Sequence, residues 1–177
     1  MTQVVSAFPG CGKSTFVKDH PEISDSDSSQ FDKEYFPGNY MAHVRNRIVN
    51  DKLTLVSSHD IVRQALAQSH IDYVLVYPAP GCKDEYLKRY NQRGSELKFI
   101  DLLERNWDNW IADCQAQEGC VHVVLQPGQY LSDVIAVEDG EFVVKRELPD
   151  DLRAVNIQDA WKSASAPVES TDDKEGA

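Results

Sequence analysis

The segment Ala7-Phe8-Pro9-Gly10-Cys11-Gly12-Lys13-Ser14-Thr15 comes directly after the run Gln3-Val4-Val5-Ser6 and restricts this chain more than any other stretch. Its spacing is that of a phosphate-binding loop, with Ala7 standing where G-x-x-x-x-G-K-[ST] has its first glycine. In such a loop backbone N–H groups turn inward around an anion, and Gly10 and Gly12 can take conformations that a Cβ obstructs. Lys13 brings a cation to the β- and γ-phosphates and Ser14 offers a hydroxyl to Mg2+. The helix expected over residues 14–19 points its positive end at the same place. Pro9, Gly10, Cys11, Gly12, Lys13, Ser14 and Thr15 are therefore the expected triphosphate-binding residues. A plain glycine-rich turn would leave the Lys13-Ser14 pair without a task. Ala7 departs from the pattern where the position mainly shapes the turn.

A strand that runs through such a loop into a helix calls for an α/β fold, and the rest of the chain alternates accordingly. Short apolar runs at residues 22–25, 53–57, 73–77 and 120–125 read as further strands. Between them, helices are expected at residues 40–50, 60–68 and 83–90. In the second of these, Ile61, Ala65 and Leu66 are expected to face inward. A longer helix places Ile100, Leu103, Trp107, Trp110, Ile111 and Cys114 on one stripe, where core packing is the expected role of both tryptophans. The pattern predicts a three-layer sandwich, a mostly parallel sheet with helices on both faces. Ile135-Ala136-Val137-Glu138, Asp139-Gly140 and Glu141-Phe142-Val143-Val144 predict a two-residue hairpin appended at about 135–145. One domain is expected over residues 1–164. Residues 165–177 carry Glu169, Asp172, Asp173 and Glu175 against Lys174 alone and read as a disordered acidic tail.

Composition narrows the function classes. The net charge of −11, from 29 acidic and 18 basic residues, argues against a broad nucleic-acid footprint, so any contact with DNA must be small and focused. No stretch approaches the roughly 20 apolar residues of a membrane span, so no membrane partner is expected. The amino end lacks a basic and apolar leader pattern, which makes the cytoplasm the expected compartment. Cys11, Cys82, Cys114 and Cys120 form no C-x-x-C pair and no zinc spacing, and reduced thiols are expected, with Cys11 a spectator. Nothing points to an obligate protein partner.

Several side chains can carry chemistry beside the loop. Asp25 and Asp27, two residues apart in an extended segment, share a face at the carboxyl edge of the sheet. One carboxylate can hold Mg2+ while the other takes a proton from an incoming hydroxyl. The competing reading is a solvated Asp/Ser turn that caps a helix. Arg89 and Arg93, at i and i+4 of one helix and next to Lys88, can close over phosphates as a lid; their alternative is a surface pairing with Asp84 and Glu85. Arg45 and Arg47 are weaker candidates for gripping an acceptor phosphate. His59 can contact the acceptor or sit at a helix start, and Asp60 most simply caps that helix. The later strands do not run into the acidic pair that an ATPase uses to activate water, and no N-K-x-D occurs. Transfer to an organic acceptor is favoured over hydrolysis.

Taken together, these residues resemble the small P-loop kinases of the nucleoside monophosphate kinase and shikimate kinase type, over most of residues 1–131. The resemblance implies that Asp25 stands on the metal side, that Asp27 is the acceptor-side base, and that Arg89 and Arg93 match the lid arginines. The phrases A-F-P-G-C-G-K-S, D-S-D-S-S, V-S-S-H and Y-L-K-R-Y-N-Q-R-G look more narrowly like a group of bacteriophage-encoded kinases that includes the 5-hydroxymethyluracil DNA kinases. The chain is thus expected to be an ATP- and Mg2+-dependent kinase. Lys13, Asp27, Arg89 and Arg93 are its expected catalytic residues, Asp27, Arg45 and His59 bind the acceptor, and Ser14 and Asp25 hold the metal. The expected acceptor is a hydroxyl on a nucleotide-type substrate, most specifically hydroxymethyluracil in phage DNA, which places the enzyme in the host cytoplasm. A nucleoside monophosphate acceptor and a nucleotide-binding module without transfer activity are the rivals.

Overall fold

Four of the five sheet strands are built on β-branched and aliphatic runs of four or five residues, and each is separated from the next by a helical crossover. The computed structural model describes residues 2–145. The remainder of the expected domain, 146–164, and the expected acidic tail lie outside the described residues. Strand β1 (Val4–Ala7) leads through the glycine loop into α1 (Lys13–Asp19), and β2 (Ser24–Ser26) comes next. A 3-10 turn at Ser28–Gln30 precedes α2 (Gly38–Val49), then β3 (Thr54–Ser57) and α3 (Asp60–Gln68). Strand β4 (Val74–Pro78) is succeeded by α4 (Lys83–Gln92), α5 (Leu97–Gln115) and β5 (Val121–Leu125).

The five strands form one sheet in the order β2-β3-β1-β4-β5, and every pairing is parallel. Val5 sits opposite Leu55 on one side and Val74 on the other, which makes β1 the central strand. Every residue of β1 and β4 is buried, so both faces of the sheet are covered there, as parallel sheets require. The α/β reading and the parallel sheet are thus correct. At the far edge β5 is largely open, with Val121 and Val124 exposed.

The helices pack with the phase their sequence suggests, with one exception. In α5, Ile100, Leu103, Trp107, Ile111 and Cys114 are buried as expected, while Trp110 is only partly so. In α3 the inward stripe is Val62, Arg63 and Leu66. Ile61, expected inside, is 41 % exposed, and Ala65 is half-buried. The stripe is turned by one residue because Arg63 occupies an inward position, where its guanidinium meets acceptors.

The chain continues from β5 into a single helical turn, α6 (Leu131–Val134), which the sequence pattern does not announce. Strands β6 (Ile135–Glu138) and β7 (Glu141–Val144) then pair antiparallel as predicted. Asp139 and Gly140 both take positive φ, 50° and 79°, the conformation of a two-residue type I′ turn. The hairpin is joined to the core: Phe142 N–H donates to the Thr2 carbonyl (2.9 Å), and Ile135 and Phe142 are buried. Among the described residues, no helix is long and apolar enough to cross a membrane.

Candidate functional site

The outgoing connections of β1 and β4 leave in opposite directions, toward β2 and toward β5. A crevice opens at their carboxyl ends, the place where open α/β sheets bind ligands. The loop after β1 lies there. Ala7 is the last residue of β1, buried and in register with Ser57 and Val76, so no glycine is needed at that position. Phe8 N–H then donates to the Val76 carbonyl (2.9 Å), and its ring packs edge-on against Tyr86, Trp107 and Trp110. Gly10 and Gly12 have φ of 84° and 91°, in the left-handed region. A Cβ on Gly10 would come within 3.1 Å of both Tyr86 and Tyr90, and one on Gly12 within 3.1 Å of Tyr130. Both glycines are therefore required twice, by backbone conformation and by the aromatic rings laid against them.

The backbone N–H groups of Gly10, Gly12, Lys13, Ser14 and Thr15 have no protein acceptor among the described residues. Open amides at this density form a nest for an anion. Lys13 Nζ donates to the Ala7 carbonyl (3.1 Å), so the cation spans its own loop. Burial lowers the Lys13 pKa, and Arg93 adds to that while Asp25 and Asp27 work against it. Cys11 lies beneath the loop, fully buried, its sulfur 3.4 Å from the Tyr86 hydroxyl. Burial pushes that thiol up to about 11, the condition of an unreactive spectator.

A cleft of about 1370 Å³ extends from the loop, and the expected residues enter it unequally. Asp25 and Asp27 both line it. Asp25 lies in the middle of β2, where the sequence pattern had the strand end at it, and Asp27 comes just after the strand. Ser26 between them faces inward. Its hydroxyl is 2.9 Å from His43 Nε2 and its carbonyl accepts from the Tyr40 hydroxyl at 2.7 Å, which holds both carboxylates on the cleft side. Asp27 also caps the 3-10 turn, accepting from Ser29 N–H at 2.8 Å. Asp27 thus caps the turn and lines the cleft with the same side chain. The Asp25 pKa is raised, first by desolvation and then by Asp27, with Lys13 opposing. Ser14, exposed at the start of α1, lines the same cleft, and its hydroxyl has no protein partner among the described residues. A hydroxyl and a carboxylate are hard oxygen donors of the kind Mg2+ takes beside phosphate oxygens, so these residues fit that ion. Among the described residues no cluster of three or more His, Cys, Asp or Glu side chains could cage a metal alone.

His59 lines the cleft where β3 passes into α3. Desolvation lowers its pKa, helped by Lys13 and Arg63 and opposed by Asp60 and Asp27. Arg93 also reaches the cleft, exposed and lying over the Tyr90 ring at 5.3 Å, with no hydrogen-bond or ion-pair partner among the described residues.

Two expected arginines are placed otherwise. Arg89 lines the cleft but is held from several sides. It pairs with Glu85 and donates to the carbonyls of Gly10 and Gln129, both at 3.0 Å. Its guanidinium lies over the rings of Tyr86 and Tyr130, 4.6 and 3.9 Å from their centroids. It braces the back of the loop and is not poised to swing as a lid. Arg45 is no part of the cleft. It is exposed and donates to Ser69 Oγ (2.8 Å) at the far end of α3, so its expected acceptor-binding role is not supported. Arg47 is likewise absent from the lining. In their place the structure brings in Arg63, Trp110 and Tyr130, to which the sequence pattern assigns no place in the site.

No protein-family model matches the chain, and a search of curated proteins finds none that matches it.

Proposed function

We propose that this chain is a P-loop phosphotransferase that moves the γ-phosphate of ATP to a hydroxyl of a nucleotide-type acceptor, most specifically hydroxymethyluracil in phage DNA. The observation that carries the reading is one cleft lined by Lys13, the Asp25/Asp27 pair, and five loop amides and an Arg93 side chain that have no hydrogen-bond partner among the described residues. Donors aimed at a phosphoryl group facing a carboxylate that can take a hydroxyl proton are the parts such a transfer needs. In this reading the loop amides and Lys13 hold the β- and γ-phosphates, and Arg93 meets the charge that spreads over the transferred group. Asp27, with one oxygen on Ser29 N–H, keeps the other for the acceptor hydroxyl. Ser14 and Asp25 would hold Mg2+, whose contribution is to neutralise phosphate charge. Positioning accounts for most of the rate. The five-stranded parallel sheet, with its loop at the carboxyl end of the central strand, is compatible with the small P-loop kinases that the motifs resemble.

A nucleoside monophosphate acceptor is the second reading, and the net charge of −11, unfavourable for a DNA partner, speaks for it. Labelled ATP offered separately with hydroxymethyluracil-containing DNA and with each monophosphate separates the two. Label in the DNA, lost in Lys13→Met and in Asp27→Asn, is the expected result. Label only in the monophosphate pool overturns the DNA acceptor. ATP binding with no labelled product from any acceptor makes the chain a non-catalytic nucleotide-binding module.

A further inference from the structure

Two side chains in the cleft have no part in the proposed transfer, and each is incompletely used by the protein. Arg63 is only 3 % exposed. Its Nε donates to the Ser58 carbonyl (2.9 Å), and one terminal nitrogen donates to the Asp113 carbonyl (2.9 Å) and to Gln117 Oε1 (3.0 Å). All three acceptors are neutral, and no carboxylate among the described residues forms an ion pair with it. The second terminal nitrogen has no protein acceptor among the described residues. A guanidinium this deeply withdrawn from water without a counter-charge is costly. An anion arriving through the cleft it lines would offset that cost with the strongest kind of hydrogen bond.

Trp110 is the second of these side chains. Three residues before it in α5, Trp107 is fully buried and donates its indole N–H to the Pro80 carbonyl (2.9 Å). Trp110 is partly buried against the core, with an edge-on contact to Phe8 at 6.4 Å, and its N–H finds no acceptor among the described residues. Trp110 lines the cleft, as do Phe99 and Tyr90, a close aromatic pair 4.9 Å apart. At about 1370 Å³ the cleft exceeds the roughly 300–1,000 Å³ of a single-ligand pocket, so a second ligand fits beside a triphosphate.

We propose that Trp110 and Arg63 form the acceptor subsite, Trp110 stacking a nucleobase and Arg63 receiving the phosphate of the same nucleotide unit. That unit can be a free monophosphate or one nucleotide of a strand, since both present a base and a phosphate. Describing the subsite as the acceptor's rests on the phosphotransferase reading, whereas the recognition itself does not.

Fluorescence of the full chain carrying Trp161→Phe tests this, because Trp107 and Trp110 are then the remaining tryptophans. The probes are thymidine and deoxyadenosine 5′-monophosphates, the two nucleosides, deoxyribose 5-phosphate and a short thymidine oligonucleotide. At least one monophosphate is expected to quench Trp110 and to bind roughly tenfold more tightly than its nucleoside or the sugar phosphate. Trp110→Ala is expected to remove the quench and weaken that monophosphate roughly tenfold while leaving deoxyribose phosphate unchanged. Trp110→Phe keeps most of the affinity. Arg63→Gln brings monophosphate and nucleoside together; should that variant fold poorly, the same ligand series on the parent chain still decides. Stronger quenching by the oligonucleotide assigns the unit to a strand, and stronger quenching by the monophosphate assigns it to a free nucleotide. Monophosphates that bind Trp110→Ala as well as the parent overturn the proposal. So does a Trp110 signal that answers to ATP alone, with monophosphates merely competing for it. If the subsite binds as described but no acceptor is phosphorylated, the subsite stands and the transferase reading falls.

Discussion

Arg89 and Arg93 lie one helical turn apart at the end of α4, and their surroundings make them opposites. Around Arg89 nearly everything is committed. Its charge meets Glu85, which in turn accepts from Gly128 N–H at 3.0 Å, and its nitrogens tie the Gly10 carbonyl to the Gln129 carbonyl. Among the described residues, the Arg93 side chain has no partner beyond the Tyr90 ring, and the Asp25 and Ser14 side chains and five loop amides in the same cleft are equally without protein partners. The back of the loop is finished and the front is open. A site that must hold a polyanion needs both: a backing that cannot relax, and donors not already spent on the protein.

The sharpest way to break this contrast is to remove each arginine in turn. Arg93→Met is expected to lower turnover by roughly a thousandfold and to leave stability within about 0.5 kcal/mol. Arg89→Met should cost about 3 kcal/mol, since it leaves the half-buried Glu85 without its cation. Equal losses of stability in denaturant titrations would erase the distinction. A smaller effect is expected on the loop itself. Gly12→Ala forces a side chain into the left-handed region against Tyr130, a loss of about 1–3 kcal/mol. The companion change Tyr130→Ala relieves the contact but not the backbone strain, so partial recovery is expected and full recovery would discredit the conformational argument.

The open side is sharpened by pH. Because desolvation raises the Asp25 pKa, Mg2+ binding in the presence of nucleotide should begin to weaken, as pH falls, above the ordinary 3.8 of an aspartate. Asp27→Asn removes a like charge, and the onset should move to lower pH; an onset that stays in place would mean that Asp27 is not felt at Asp25. The smallest effect concerns His59. Its pKa is lowered, so the fold favours the neutral ring: that contribution is complete above about 6.5 and is lost as pH falls below it. The gap in melting temperature between the parent and His59→Gln should narrow or reverse by a degree or so on going from pH 7.5 to pH 5.

Much of the fold and part of the site are legible in the sequence alone, for local reasons. The strands, the loop and the Asp139-Gly140 hairpin are written in short-range patterns, each set by its own few residues. What escapes depends on distant partners. Arg63 breaks an apolar stripe, and only the Ser58 and Asp113 carbonyls and the Gln117 side chain beside it explain why a cation belongs there. Arg45 carries the right charge on the right helix, yet its angle on α2 sends it to Ser69. Trp107 and Trp110 share one stripe in sequence, and only the distant Pro80 carbonyl and full burial at Trp107 set them apart. Arg89 reads like Arg93 until Gly10 and Gln129, 79 and 40 residues away, are brought to it.

The last part of the described chain secures the first. Leu131 N–H donates to the Cys11 carbonyl (2.8 Å), Phe142 N–H reaches back to Thr2, and Tyr130 rests against Gly12. The loop and its supports therefore come from opposite ends of the described residues, and the supports are synthesised after the loop they hold. A nascent chain halted before residue 126 carries the whole glycine loop and none of these three braces, so the loop is fixed only once they have emerged.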